Sequence, residues 1–365
     1  MNYKDGKHNT AVFLQKWFDR TQPALAFEGK SVEAFQTWQR SLKSKVRELL
    51  LDFPAPAPLN PELYGKEQCP AFVREKWVIQ TEQDCYMPLY LLVPLERQHP
   101  APAILCCHGH GPFGKDPVAG VHLNDPACRA TIAQHNYNYG EQMAQRGFVT
   151  IVPDWRSFGE RIAYDSGSFG GRDICNVHFL EHLLMGRTLL GANVFDAMRA
   201  IDFLLTRDEV DPHRIGCMGL SFGGTMTTYT TLLDDRIKAA DIICYATTTG
   251  HYAIHCANTC GSQFVPSLYK YADVGHVMGA IAPRPLLIES GTSDMCFEYH
   301  SAREAHNIVR GIYQVAGAEG KLEIDAFPGG HAFAGNKAFS FFARHLQNPP
   351  TDTEQKDILD GVLLA

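Results

Sequence analysis

Hydrophobic and polar positions follow two different periods along this chain. Over residues 31–51, Phe35, Trp38, Leu42, Val46 and Leu49 recur at steps of three and four, which puts them on one face of a helix. Ser31 stands where such a helix needs an N-cap. A shorter helix is predicted over 11–20. Prolines at 54, 56, 58 and 61 then force an extended connector. Short apolar runs bounded by turn residues follow, and they read as strands: 72–80 and 86–93 as an antiparallel opening pair, then 103–107, 148–153, 215–218, 239–245, 285–290 and 321–327. Helical patterns fall between or after them at 193–206, directly after Ser221, at 301–313 and at 334–346. Residues 112–139, rich in glycine, proline, histidine and asparagine, read as a long functional loop.

Strands alternating with helices predict an α/β fold, a mostly parallel central sheet flanked by helices. The expected organisation is a helical N-terminal extension over 1–65, a catalytic domain over 66–348 and a polar tail over 349–365. In such sheets functional groups gather at the carboxyl ends of strands, which directs attention to the residues just past each apolar run.

The run at 215–218 is followed by Gly219-Leu-Ser221-Phe-Gly223 and then a helical segment. A serine on a tight strand-to-helix turn is held in a strained backbone, with glycines where strand and helix would otherwise collide. Its hydroxyl still needs a base, and the base an orienting acid. Asp294 follows the strand 285–290 and His331 follows the strand 321–327, so three strand ends supply the three residue types in the order Ser, Asp, His. Glu298 is the rival for the acid. The backbone N–H of Phe222, at the helix start, is expected to form one half of an oxyanion hole. The N–H of His110, in His108-Gly-His-Gly111, is expected to form the other, with Gly109 and Gly111 as alternatives.

Together with Asp154-x-Arg156-x-x-Gly159, Asp211-Pro-x-Arg-Ile-Gly216, Ala282-Pro-Arg-Pro-Leu-Leu-Ile288 and Gly330-His331, these motifs make the chain resemble the α/β-hydrolase superfamily over about residues 70–346. Within it, the chain is similar to the dienelactone-hydrolase-like and acetyl-xylan-esterase-like serine hydrolases. The resemblance implies Ser221 as nucleophile, Asp294 as acid and His331 as base, with Asp154 and Arg156 fixing a loop beside the site. It implies cleavage of a carboxylic ester through an acyl-enzyme. Dienelactone hydrolases carry cysteine where this chain has Ser221. The xylan deacetylases carry Arg-Gly-Gln where it has Arg156-Ser-Phe. A peptidase or amidase on the same scaffold, or a non-catalytic binding protein, are the competing readings.

Composition narrows the partners. A net charge of −7 gives no basic surface for nucleic acid or anionic membrane. Eleven cysteines, an odd number and several in apolar runs, read as reduced thiols in the cytoplasm. The expected partner is a small-molecule ester; a homo-oligomer is compatible with the sequence. No cofactor is expected, since no G-x-G-x-x-G follows the first strand. His178-Phe-Leu-Glu-His182 matches an inverted zinc-protease motif without an evident third ligand, and His251, His255, Cys256 and Cys260 fit no common zinc spacing. No metal is therefore expected either. Residues 247–271 are expected to line the substrate pocket.

Overall fold

The computed structural model describes residues 8–122, 124–162 and 173–348. Nine strands form one sheet: β1 (Glu62–Gln68), β2 (Phe72–Glu82), β3 (Cys85–Pro94), β4 (Ala101–Cys107), β5 (Val149–Pro153), β6 (Val210–Leu220), β7 (Ile237–Ile243), β8 (Leu286–Gly291) and β9 (Leu322–Phe327). Their order across the sheet is β1-β2-β3-β5-β4-β6-β7-β8-β9. The first three and the β3–β5 contact are antiparallel, and every pair from β5 to β9 is parallel. The central strands β4, β5, β7 and β8 are buried almost throughout because helices cover both of their faces.

The helices are α1 (Thr10–Arg20), α2 (Val32–Leu49), α3 (Pro126–His135), α4 (Tyr139–Ala144), α5 (Ile174–Leu184), α6 (Leu189–Leu204), α7 (Phe222–Leu233), α8 (Val274–Gly279), α9 (Tyr299–Val315) and α10 (Ala338–Phe342). Ser31 caps α2 by accepting the Ala34 N–H at 3.2 Å. Phe35, Leu42 and Val46 of that helix are buried, with Trp38 half-buried beside them. Gln39 donates to the carbonyls of Ala280 and Ala282 at 2.7 and 2.5 Å, tying α2 to the segment before β8. By contrast α1 buries no residue, yet its Phe18 ring stacks on Tyr269 at 4.3 Å.

Two features differ from the sequence expectation. The connector ends in β1, an edge strand exposed along its whole length, so its residues carry no apolar alternation. Inside the expected loop 112–139 lies α3, started by Asp125 as N-cap and Pro126 at the first helical position. Only Cys128 of α3 is buried, so the helix has no apolar stripe to announce it. The expected tail 349–365 lies outside the described residues.

Candidate active site

β6 ends at Leu220 and α7 begins at Phe222, leaving Ser221 alone on the turn with φ 65° and ψ −119°. A side chain in that region is strained, and the surroundings must over-determine it. They do: the Ser221 N–H donates to the Ile243 carbonyl at 2.9 Å, and its own carbonyl accepts the Thr225 N–H at 3.1 Å. A Cβ at Gly219 would stand 2.6 Å from the Cys107 carbonyl oxygen, and one at Gly223 would strike the same atom. Only glycine lets β4, β6 and α7 meet there.

Asp294 sits on the loop after β8, with its side chain buried. Its Oδ1 accepts the N–H groups of Cys296 and Phe297 at 2.7 and 3.0 Å. Its Oδ2 faces His331 Nδ1 at 2.8 Å. Burial alone raises the Asp294 carboxyl, but the hydrogen bond and charge of His331 and the two backbone donors outweigh it and hold the group below its ordinary value. His331, on the loop after β9, stacks against the Phe297 ring at 5.8 Å, and its carbonyl faces His135 Nδ1 at 2.6 Å. With Nδ1 turned to a carboxylate, Nδ1 carries the proton and Nε2 keeps its lone pair. Ser221 and His331 line one cavity of about 190 Å³, together with Gly109, His110, His135 and Tyr137. Glu298 instead approaches His251 and His300, at 3.6 and 3.4 Å.

The loop after β4 forms the opposite wall. His108 is fully buried: its Nδ1 donates to the Gly109 carbonyl at 2.7 Å and its Nε2 accepts the Trp155 N–H at 3.1 Å. Burial lowers its pKa to about 4, so the ring is neutral and acts as a strut between the loops after β4 and β5. The Gly109 N–H is taken by the Tyr137 hydroxyl at 2.6 Å. The N–H groups of His110, Gly111 and Phe222 meet no acceptor among the described residues.

Beneath this wall lies a salt-bridge cluster centred on a residue the sequence did not single out. Lys115 is fully buried, its Nζ 2.8 Å from Asp154 Oδ2 and also bonded to Glu160. The Lys115 N–H donates to Asp154 Oδ1 at 2.8 Å, and the Glu160 N–H to Oδ2 at 3.1 Å. Burial opposes the ammonium charge, but Asp154, Asp116 and Glu160 more than offset it, so its pKa is raised. Arg156 makes a bidentate pair with Asp196 at 2.9 and 2.8 Å and reaches Glu82 at 2.7 Å. Both ends of the loop after β5 are thus pinned from below.

The histidines of the 178–182 motif do not converge. His178 Nδ1 faces the Ser157 hydroxyl at 2.7 Å, whereas His182 Nδ1 faces the His178 carbonyl at 2.7 Å. Residues 247–271 do not line the Ser221 cavity. With Leu14, Trp17 and Phe18 of α1 they line a separate, mostly apolar cavity of about 770 Å³.

The chain is 26% identical over 291 residues to the Bacillus subtilis protein YtaP, covering 78% of this chain and 90% of that one. A putative acetyl xylan esterase from Bacteroides fragilis superposes with a TM-score of 0.72 at 22% identity, over 90% of this chain and 84% of the other. A glucuronoyl esterase from Solibacter usitatus superposes with a TM-score of 0.64 at 16% identity, over 89% and 98%. At those identities the structures share the α/β-hydrolase fold. The family model matches residues 2–332, nearly the whole described chain, and the protein belongs to the Abhydrolase family.

Proposed function

We propose that the protein is a serine esterase in which Ser221, His331 and Asp294 act together on a carboxylic ester. The observation that carries this reading is the strained Ser221 turn opening into the same cavity as His331, whose Nδ1 is bonded to Asp294 at 2.8 Å. His331 Nε2 takes the proton as Ser221 Oγ attacks the carbonyl carbon, and Asp294 stabilises the imidazolium that forms. The Phe222 and His110 N–H groups receive the developing oxyanion, each worth on the order of 3 kcal/mol in such sites. The alcohol leaves with the proton from His331, and water repeats the sequence on the acyl-enzyme. The superposing acetyl xylan and glucuronoyl esterases support an ester over an amide. A cavity of about 190 Å³ suits a small acyl group.

A fluorophosphonate should add one covalent label at Ser221, and Ser221→Ala should abolish both labelling and aryl-ester turnover. Labelling at another residue, or turnover that survives the substitution, overturns the assignment. Across acetyl, butyryl and octanoyl aryl esters, kcat/KM should fall as the acyl chain lengthens.

A further inference from the structure

Three side chains from separate elements, one of them from a residue that lines the Ser221 cavity, converge without a part in the proposed reaction. His110 comes from the loop after β4, Cys175 from the first turn of α5, and Cys260 from the loop that follows β7. One donor atom from each lies within 4.8 Å of the other two. His110 Nε2 stands 3.3 Å from Cys175 Sγ, and the two sulfurs stand 3.1 Å apart. A carboxylate oxygen of Asp173 lies 3.5 Å from the same His110 nitrogen.

We propose that His110, Cys175 and Cys260, with Asp173 as the fourth donor, form a binding site for a thiophilic divalent cation of the zinc type. Two sulfurs, an imidazole and a carboxylate suit such an ion, and hard cations such as magnesium do not take them. The supporting contacts are those of a prepared ligand. Cys260 Sγ receives the Ser262 N–H at 3.4 Å and lies 2.7 Å from the Ser262 hydroxyl. The Gly261 N–H donates to Asn176 Oδ1 at 2.6 Å, locking the Cys260 loop onto α5. Any side chain at Gly261 would run into Phe179, so the two backbones are pressed together. The His110 ring packs edge-on against Phe158 at 5.2 Å, which fixes its direction. Such outer contacts orient metal ligands and set their affinity.

A disulfide between the two cysteines is the competing use of this pair. Zn–S bonds of about 2.3 Å in tetrahedral geometry place two sulfurs roughly 3.8 Å apart. A disulfide needs about 2.05 Å. From 3.1 Å, opening is the smaller movement, and a disulfide has no use for the third donor held at 3.3 Å. On binding, both thiols are coordinated as thiolates and their two protons pass to solvent. The cation then joins the β4 loop, α5 and the Cys260 loop, and so fixes the backbone of His110, the proposed oxyanion donor. The site itself does not depend on that role.

The test is cobalt titration of the reduced, chelator-treated full chain under anaerobic conditions. One equivalent of Co²⁺ should produce a sulfur-to-cobalt charge-transfer band in the near ultraviolet, which zinc abolishes on displacing the cobalt. Cys260→Ser and Cys175→Ala should each lose or sharply weaken the band. His110→Gln, which keeps both sulfurs and the backbone N–H, should weaken binding by about 10-fold or more, the loss that even an outer-shell contact brings. Ser221→Ala should bind as the parent does, which separates this result from the fate of the esterase reading. Cys256→Ser and His251→Ala should also keep the band, although His251, Glu298 and His300 form a second cluster nearby. A reduced parent that takes no cobalt, a band that survives in the folded Cys260→Ser and Cys175→Ala variants, or one lost on altering His251 overturns the proposal. Absence of cobalt binding with recovery of a Cys175–Cys260 disulfide would identify a redox pair instead.

Discussion

In the proposed reaction His331 serves as a base only while its Nδ1 proton is held, and Asp294 holds it at 2.8 Å from a carboxylate that two backbone N–H groups have already fixed. Asp294→Asn keeps the size of the side chain but removes the charge and disturbs the ring tautomer. In triads of this type that change costs about 10⁴-fold in kcat. The same loss is expected here, with KM little changed, as steady-state kinetics on an acetyl aryl ester would record. Glu298→Gln should leave kcat unchanged, because Glu298 faces His251 and His300. An equal loss in both variants would reopen the choice of acid. At this scale the sequence was informative because Ser221, Asp294 and His331 each follow a strand that the apolar pattern reveals. His135 and Tyr137 gave no such sign: a histidine and a tyrosine in a polar stretch become cavity walls only when α3 brings them there.

Between elements, the loops after β4 and β5 must be rigid for the His110 N–H to serve as the proposed oxyanion donor. Their anchor is the buried pair of Lys115 and Asp154. Lys115→Met leaves the Asp154 carboxylate in the interior without its counter-charge, and breaking a buried pair from one side costs about 3–5 kcal/mol. Urea unfolding should register a loss of that order. The double variant Lys115→Met with Asp154→Asn should recover part of it, because no unpaired charge then remains. If the single variant is as stable as the parent, the cluster is not the anchor. A lysine between glycine and aspartate in a proline-rich loop reads as solvated, so nothing local foretold its burial. The same limit hid β1 and α3, which bury almost nothing themselves and are held by neighbours. By comparison α2, β4 and β6 were legible because each carries its own apolar face. His110, Cys175 and Cys260 were illegible for a further reason: Cys175 and Cys260 are 85 residues apart, and no spacing rule links them.

Across the whole sheet, the strands that carry the site also carry buried acids. Asp241 on β7 and Glu289 on β8 are fully buried, and Asp325 on β9 pairs in register with Glu289. Neither oxygen of Asp241 has a hydrogen-bond partner among the described residues, and Glu289 Oε2 accepts the Ala334 N–H at 3.0 Å. Burial raises Glu289 to about 8 against the pull of that donor, and burial with the nearby Glu289 raises Asp241. In the unfolded chain Glu289 ionises near its ordinary value of 4.5, whereas burial keeps it protonated in the folded chain until about 8. Between those values the folded state binds the extra Glu289 proton, so the contribution of this group to stability is greatest at the acid end of the window and falls as pH rises through it. Each raised group contributes at most about 1.4 kcal/mol per pH unit. Depressed carboxyls such as Asp294 gain their stability at lower pH and have titrated by the time this loss is under way. Buried histidines such as His108, His306 and His345, each lowered to about 4, oppose this trend while the unfolded chain's imidazoles still bind protons. Urea midpoints should therefore decline only from about pH 7 to 8.5, and Glu289→Gln, which has no proton to lose, should flatten that decline. An unchanged slope would show that Glu289 ionises normally in the folded protein. Because β8 leads to Asp294 and β9 to His331, and Ala334 lies three residues beyond His331, this alkaline loss of stability falls on the half of the sheet that supports the proposed acid and base.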